Sequence, residues 1–114
     1  MAEKKVLEKK ALDEATLQEI IRRIVQVAQP QKIILFGSAA RGEMGPNSDV
    51  DLLVVVDAPV HRRQTAQAIY RHLIGVGFAA DIVVVTNEDM ERYKDHPAMV
   101  IRQALEEGRL VYAA

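Results

Sequence analysis

Leu17, Ile20, Ile21, Ile24, Val25 and Ala28 recur at three- and four-residue steps, the spacing that lines one face of a helix. Asp13 or Thr16 supplies an N-terminal cap, and the helix ends before Pro30. The period then changes. Residues 33–36 form a short apolar, β-branched run stopped by Gly37, which predicts a buried strand. Residues 42–48, with Gly45, Pro46 and Asn47, read as a loop, and residues 49–56 as a second strand followed by the breaker Asp57-Ala58-Pro59. Helical spacing returns over about residues 60–74, with Ala66, Ile69, Tyr70 and Leu73 on the inner face and Gly75 and Gly77 at the end. Residues 78–85 predict a third strand, and Thr86-Asn87-Glu88-Asp89 a cap that opens a short helix. Pro97 separates this from a last helix over residues 98–107, Gly108 stops it, and residues 110–112 return as a small fourth strand.

This order predicts an α/β fold, a small β-sheet layered with helices. The sheet should be mixed, because only the loop at 42–48 joins the first two strands. Residues 1–10 are rich in Lys and Glu with little apolar content, so residues 1–12 are expected to be a flexible or helical extension and residues 13–114 the domain.

With 114 residues and 49% hydrophobic content, the chain can build one core and is too short for two. A net charge of −1 gives no bulk attraction to a polyanion, so strong nucleic-acid binding is not expected. Absence of cysteine excludes disulfides, thiolate nucleophiles and cysteine-type zinc sites, and no secretory apolar stretch precedes the charged start; a cytoplasmic location fits. The longest apolar runs, near residues 52–56 and 82–85, are far shorter than the ~20 residues that span a bilayer, so no membrane partner is expected.

The candidate chemistry lies in Asp49-Val50-Asp51. Alternate side chains of a strand share a face, so this step aims two carboxylates at one point while Val50 and Leu52 enter the core. Converging carboxylates repel unless a cation lies between them. A hard divalent ion with oxygen ligands, Mg²⁺, is the simplest neutraliser, and Mg²⁺ commonly shares its coordination with substrate phosphates. Solvated acids at a strand entrance are the plainer reading of the same step. Gly37 and Ser38, just past a strand and before a helical turn at Ala39-Ala40-Arg41, let backbone N–H groups approach a phosphate, although Gly-Ser after a strand is also an ordinary turn. Asp81 interrupts the apolar third strand, where an unpaired carboxylate would be costly to desolvate. Beside the second strand it would complete a three-carboxylate metal site; at an exposed strand mouth it would merely pair with an arginine.

Gly37-Ser38, ten intervening residues, Asp49-Val50-Asp51 and a later Asp81 in an apolar setting resemble the signature of the DNA polymerase beta superfamily of nucleotidyltransferases. More closely, Phe36-Gly37-Ser38-Ala39-Ala40-Arg41-Gly42 with Ser48-Asp49-Val50-Asp51-Leu52 is similar to the minimal nucleotidyltransferases, including MntA-type antitoxins encoded beside HEPN-domain toxins. The resemblance covers residues 33–85 and implies a polymerase-beta-like nucleotidyltransferase fold. It implies that Asp49 and Asp51 bind two Mg²⁺ ions, that Asp81 completes one metal site and helps to activate the attacking hydroxyl, and that Gly37 and Ser38 hold the triphosphate. Arg41 is similar to the family's arginine, which implies a contact with phosphate, although an exposed loop arginine is more often only solvated; Ser48 would orient the loop or serve a plain turn.

The expected activity is transfer of a nucleoside monophosphate from a triphosphate onto a hydroxyl; the resemblance to MntA-type antitoxins implies ATP as donor and a tyrosine of a HEPN toxin as acceptor. The chain lacks the added substrate-binding domain of larger relatives, so the acceptor should be another macromolecule, in a homo- or hetero-oligomer. Two other readings stand beside this one: a module that neutralises its partner by docking alone, and a transferase acting on a small molecule, which would need a pocket supplied by dimerisation. His61-Arg62-Arg63 and Arg71-His72 are expected on a solvated helix surface. His96 is expected in a turn, Glu106-Glu107 facing solvent, and Met90, Tyr93, Met99 and Ile101 in the core.

Overall fold

Asp13 starts the first helix by accepting the Thr16 N–H at 2.8 Å, as the cap reading expects. This helix, α1, runs over Glu14–Ala28 and ends at Gln29, whose left-handed backbone (φ +48°) turns the chain into Pro30. The computed structural model describes residues 12–42, 49–57, 59–93 and 100–114. The elements that follow α1 are β1 (Lys32–Phe36), the single turn α2 (Gly37–Ala40), β2 (Val50–Val56), α3 (Arg62–His72), β3 (Ala80–Thr86), α4 (Asn87–Tyr93), α5 (Val100–Glu107) and β4 (Arg109–Ala113).

The four strands form one mixed sheet in the order β3-β2-β1-β4. β1 is antiparallel to both β2 and β4, and β2 is parallel to β3, so the expected mixed α/β architecture is what the chain adopts. Helices cover both faces. Ile33, Leu35, Val50, Leu52, Val54, Val56, Ile82 and Val84 pack with Leu17, Ile20, Ile21 and Ile24 of α1 and with Ile69 and Leu73 around α3. The alternate residues Ile34, Phe36, Leu53, Val55 and Val85 pack with Ile101 and Ala104 of α5 and with Met90 of α4. Burial on both faces explains why β2 reads as an unbroken apolar run rather than an alternation. Each fully buried Ile or Leu contributes roughly 1.5–3 kcal/mol, and this core holds the acidic end of the sheet in place.

The element boundaries depart from the sequence reading in a few places. The third strand begins at Ala80 rather than residue 78, because pairing starts where β3 meets Val50. The third helix is shorter than residues 60–74, since His61 caps it by accepting the Gln64 N–H at its Nδ1. Tyr70 is not on an inner face. It is 41% exposed, and its hydroxyl accepts the outward Ile82 N–H at 2.9 Å on the β3 edge. Thr86 and Asp89 exchange the two reciprocal hydrogen bonds of a capping box, each 3.0 Å, which opens α4 where the sequence places it. Expectations for the extension at residues 1–11, for Gly45, Pro46, Asn47 and Ser48 in the loop, and for His96, Pro97 and Met99 lie outside the described residues.

Candidate active site

The three candidate acids meet at one end of the sheet. Asp51 is the second residue of β2 and stands in register with Phe36 on the antiparallel side and with Asp81 on the parallel side. In-register partners project to the same face, so Asp51 and Asp81 share the face of Leu53, Val55 and Val85, under α4 and α5. Asp49 precedes β2 by one residue, two before Asp51, and lies toward the same side. Val50 between them is fully buried in the opposite layer, as its place in the Asp-x-Asp step predicts.

Exposure separates the acids. Asp51 is half-buried, whereas Asp49 and Asp81 are exposed. The desolvation cost expected for Asp81 therefore does not arise, because β3 is an edge strand and the side chain sits at its open mouth. Among the described residues no arginine pairs with it. Burial pushes the Asp51 carboxyl above its ordinary range, the neighbouring charges of Asp81 and Asp49 push it further, and the Arg41 guanidinium opposes them. The acids therefore feel one another. As the side chains stand, no three His, Cys, Asp or Glu groups among the described residues enclose a metal position.

Gly37 follows β1 with φ +72°, and it opens α2 two residues before the predicted helical turn. A β-carbon there would run into the carboxylate of Asp51. The left-handed backbone favours glycine, and any β-carbon would in addition displace the Asp51 carboxylate. Ser38 follows, half-buried, on the same turn. Arg41 caps the turn, its N–H reaching the Gly37 carbonyl at 3.2 Å, and its Nη1 donates to Glu107 Oε1 at 3.0 Å.

Glu107 is therefore not the purely solvent-facing residue that helix-end position suggests, and no local pattern announces a partner 66 positions away. Arg62 is exposed on its helix as expected, and it also forks onto Asp89 with contacts of 2.7–3.0 Å. Asp89 was legible only as a cap. Glu106 pairs with Arg102 one helical turn earlier, and Met90 and Ile101 pack in the second layer as expected.

The residues 15–111 match the family model described as a nucleotidyltransferase domain. Solved structures share the fold. A chain of a toxin-antitoxin crystallised with AMP-PNP is 22% identical, with a TM-score of 0.55 over 85% of this chain and 73% of that one. A proposed nucleotidyltransferase from Sulfolobus solfataricus is 19% identical, with a TM-score of 0.52 over 89% of each chain. A chain from the tri-AMPylated Shewanella oneidensis HEPN toxin in complex with MNT antitoxin is also 19% identical, with a TM-score of 0.52 over 89% of this chain and 72% of that one. No curated protein sequence gives a significant match. The fold is thus that of the polymerase-beta-like nucleotidyltransferases, and the chain belongs to the nucleotidyltransferase domain family.

Proposed function

We propose that this protein is a Mg²⁺-dependent adenylyltransferase that moves AMP from ATP to a hydroxyl, the tyrosine of a partner HEPN toxin, and so acts as an antitoxin. The observation that carries this reading is the in-register pair Asp51 and Asp81, with Asp49 beside it, against a glycine at which a β-carbon would displace the Asp51 carboxylate. The donor set suits a hard cation. It is all oxygen; burial first, then the charges of Asp81 and Asp49, raises the Asp51 carboxyl, and a divalent ion would offset both by favouring the ionised form. Asp49, Asp51 and Asp81 would hold Mg²⁺, two ions in all, which when bound neutralises the triphosphate and lowers the pKa of the attacking hydroxyl.

The protein's own groups position the reaction. Gly37 lets backbone approach the triphosphate, the Ser38 hydroxyl donates to a phosphate oxygen, and Arg41 offsets phosphate charge. The acceptor oxygen bonds to the α-phosphorus as the bond from that phosphorus to the bridging oxygen of the β-phosphate breaks. Pyrophosphate leaves, and the hydroxyl proton passes to the Asp81 carboxylate. Exposure of Asp81 at the edge strand leaves it open to a side chain on a second macromolecule. Among the described residues no helix is long and apolar enough to cross a membrane, and we place the reaction in the cytoplasm, carried out by a domain over residues 13–114 in complex with its partner.

The test is incubation with Mg²⁺, labelled ATP and the protein encoded by the neighbouring gene, comparing wild type with Asp49→Asn. Label on a partner tyrosine with wild type and at least ~100-fold less with the variant is the expected result. Silencing of the partner without label transfer would instead establish neutralisation by docking.

A further inference from the structure

The ion pair between Arg41 and Glu107 joins two elements that the chain could have left independent. Arg41 ends the single turn that carries Gly37 and Ser38, and Glu107 is the last residue of α5. Ile101 and Ala104 fix α5 by burial against the sheet, and the Gly108 N–H closes its end on the Ala104 carbonyl at 2.8 Å. The Glu107 carboxylate is therefore presented from a rigid element, whereas the Arg41 side chain is long and 43% exposed.

We propose that Glu107 is a positioning residue for the nucleotide: it holds the Arg41 guanidinium at the mouth of the site and off the Asp51 carboxylate, so that the cation meets the triphosphate rather than the acids. The inference rests on the transferase reading above.

The electrostatics explain why a tether is needed. Asp49, Asp51 and Asp81 draw any mobile cation toward themselves, and Arg41 already lies near enough to Asp51 to favour its charged form. A guanidinium matches a carboxylate in a two-point fork. Closure of Arg41 onto Asp51 would occupy the oxygens that the proposed chemistry requires. Glu107, whose Oε1 accepts from Arg41 Nη1 at 3.0 Å, offers a competing acceptor. An exposed pair of this kind adds little to folding, so its value would appear in binding, where an ordered arginine loses less rotamer freedom when the phosphates arrive.

The test uses the full chain with Mg²⁺ and a non-hydrolysable ATP analogue, and reads the dissociation constant by calorimetry. Glu107→Ala should weaken binding roughly 3–10-fold, the scale of ordering one long side chain. Glu107→Gln keeps the acceptor oxygen and should stay within about 2-fold of wild type. Adding Glu107→Ala to Arg41→Ala should change nothing further, because the effect passes through the guanidinium. Melting temperatures of the single variants should remain close to wild type. Unchanged or tighter binding by Glu107→Ala, failure of Glu107→Gln to rescue, or a full effect in the Arg41→Ala background would overturn the proposal. A wild-type protein that does not bind the analogue would sink the transferase reading itself, and this inference with it.

Discussion

The Asp51 carboxylate stands in the space that a β-carbon on Gly37 would need, so the glycine after β1 and the second acid of the Asp-x-Asp step form one unit built from two strands. Gly37→Ala forces either the backbone, held at φ +72°, or the carboxylate to move. The backbone conflict alone costs about 1 kcal/mol or more. We expect the variant to fold with a lowered melting temperature and to lose at least ~10²-fold in label transfer, since displacement by an ångström is enough to do so. Full activity in Gly37→Ala would show that this close approach has no part in the chemistry.

Asp51 sets stability against function. Its carboxyl is raised in the folded state by burial, then by Asp81 and Asp49. The folded protein therefore binds this proton more tightly than the unfolded chain, and the ionised group costs stability that grows as pH rises from about 4 through the raised value. At neutral pH Asp51→Asn removes that cost. The metal-free variant should therefore melt at a higher temperature than wild type at neutral pH, while transfer is abolished. A melting temperature at or below that of wild type contradicts this account of the cluster.

Divalent cation should act in the opposite sense. Addition of Mg²⁺ to wild type should raise its melting temperature, by mass action on the folded state, and chelation should reverse the rise. Asp51→Asn and Asp81→Asn should respond weakly. An equal response in wild type and both variants would mean that the ion binds elsewhere.

Asp89 provides a stability test away from the site. It is 7% exposed, and burial by itself would push its carboxyl up; the Thr86 N–H and the Arg62 fork outweigh this and hold it below the ordinary carboxylate range. Its contribution is thus present above about pH 4 and fades as pH falls through the lowered value. Asp89→Ala should destabilise by about 1–3 kcal/mol in denaturant unfolding at pH 7, chiefly by leaving the buried Thr86 N–H unpaired. The gap between variant and wild type should narrow near pH 3. A constant gap across that range would assign the loss to packing instead.

Much of this protein was written locally. The three- and four-residue spacing of α1, the Asp13 cap, the Thr86-to-Asp89 box and the two-residue step of Asp49 and Asp51 depend on neighbours within a turn or a strand, and each can be read from the order of residues. The glycine and serine after β1 and the spacing to the acids likewise mark the candidate site in the order of residues. Tertiary structure alone decided that β3 lies beside β2 with Asp81 level with Asp51, that β3 is an edge whose Ile82 N–H meets Tyr70, and that Arg41 finds Glu107. Those outcomes depend on which strand pairs with which and in what register. Such pairing is fixed by how apolar faces from distant segments close over a shared sheet, and that closure leaves no periodic trace along the chain.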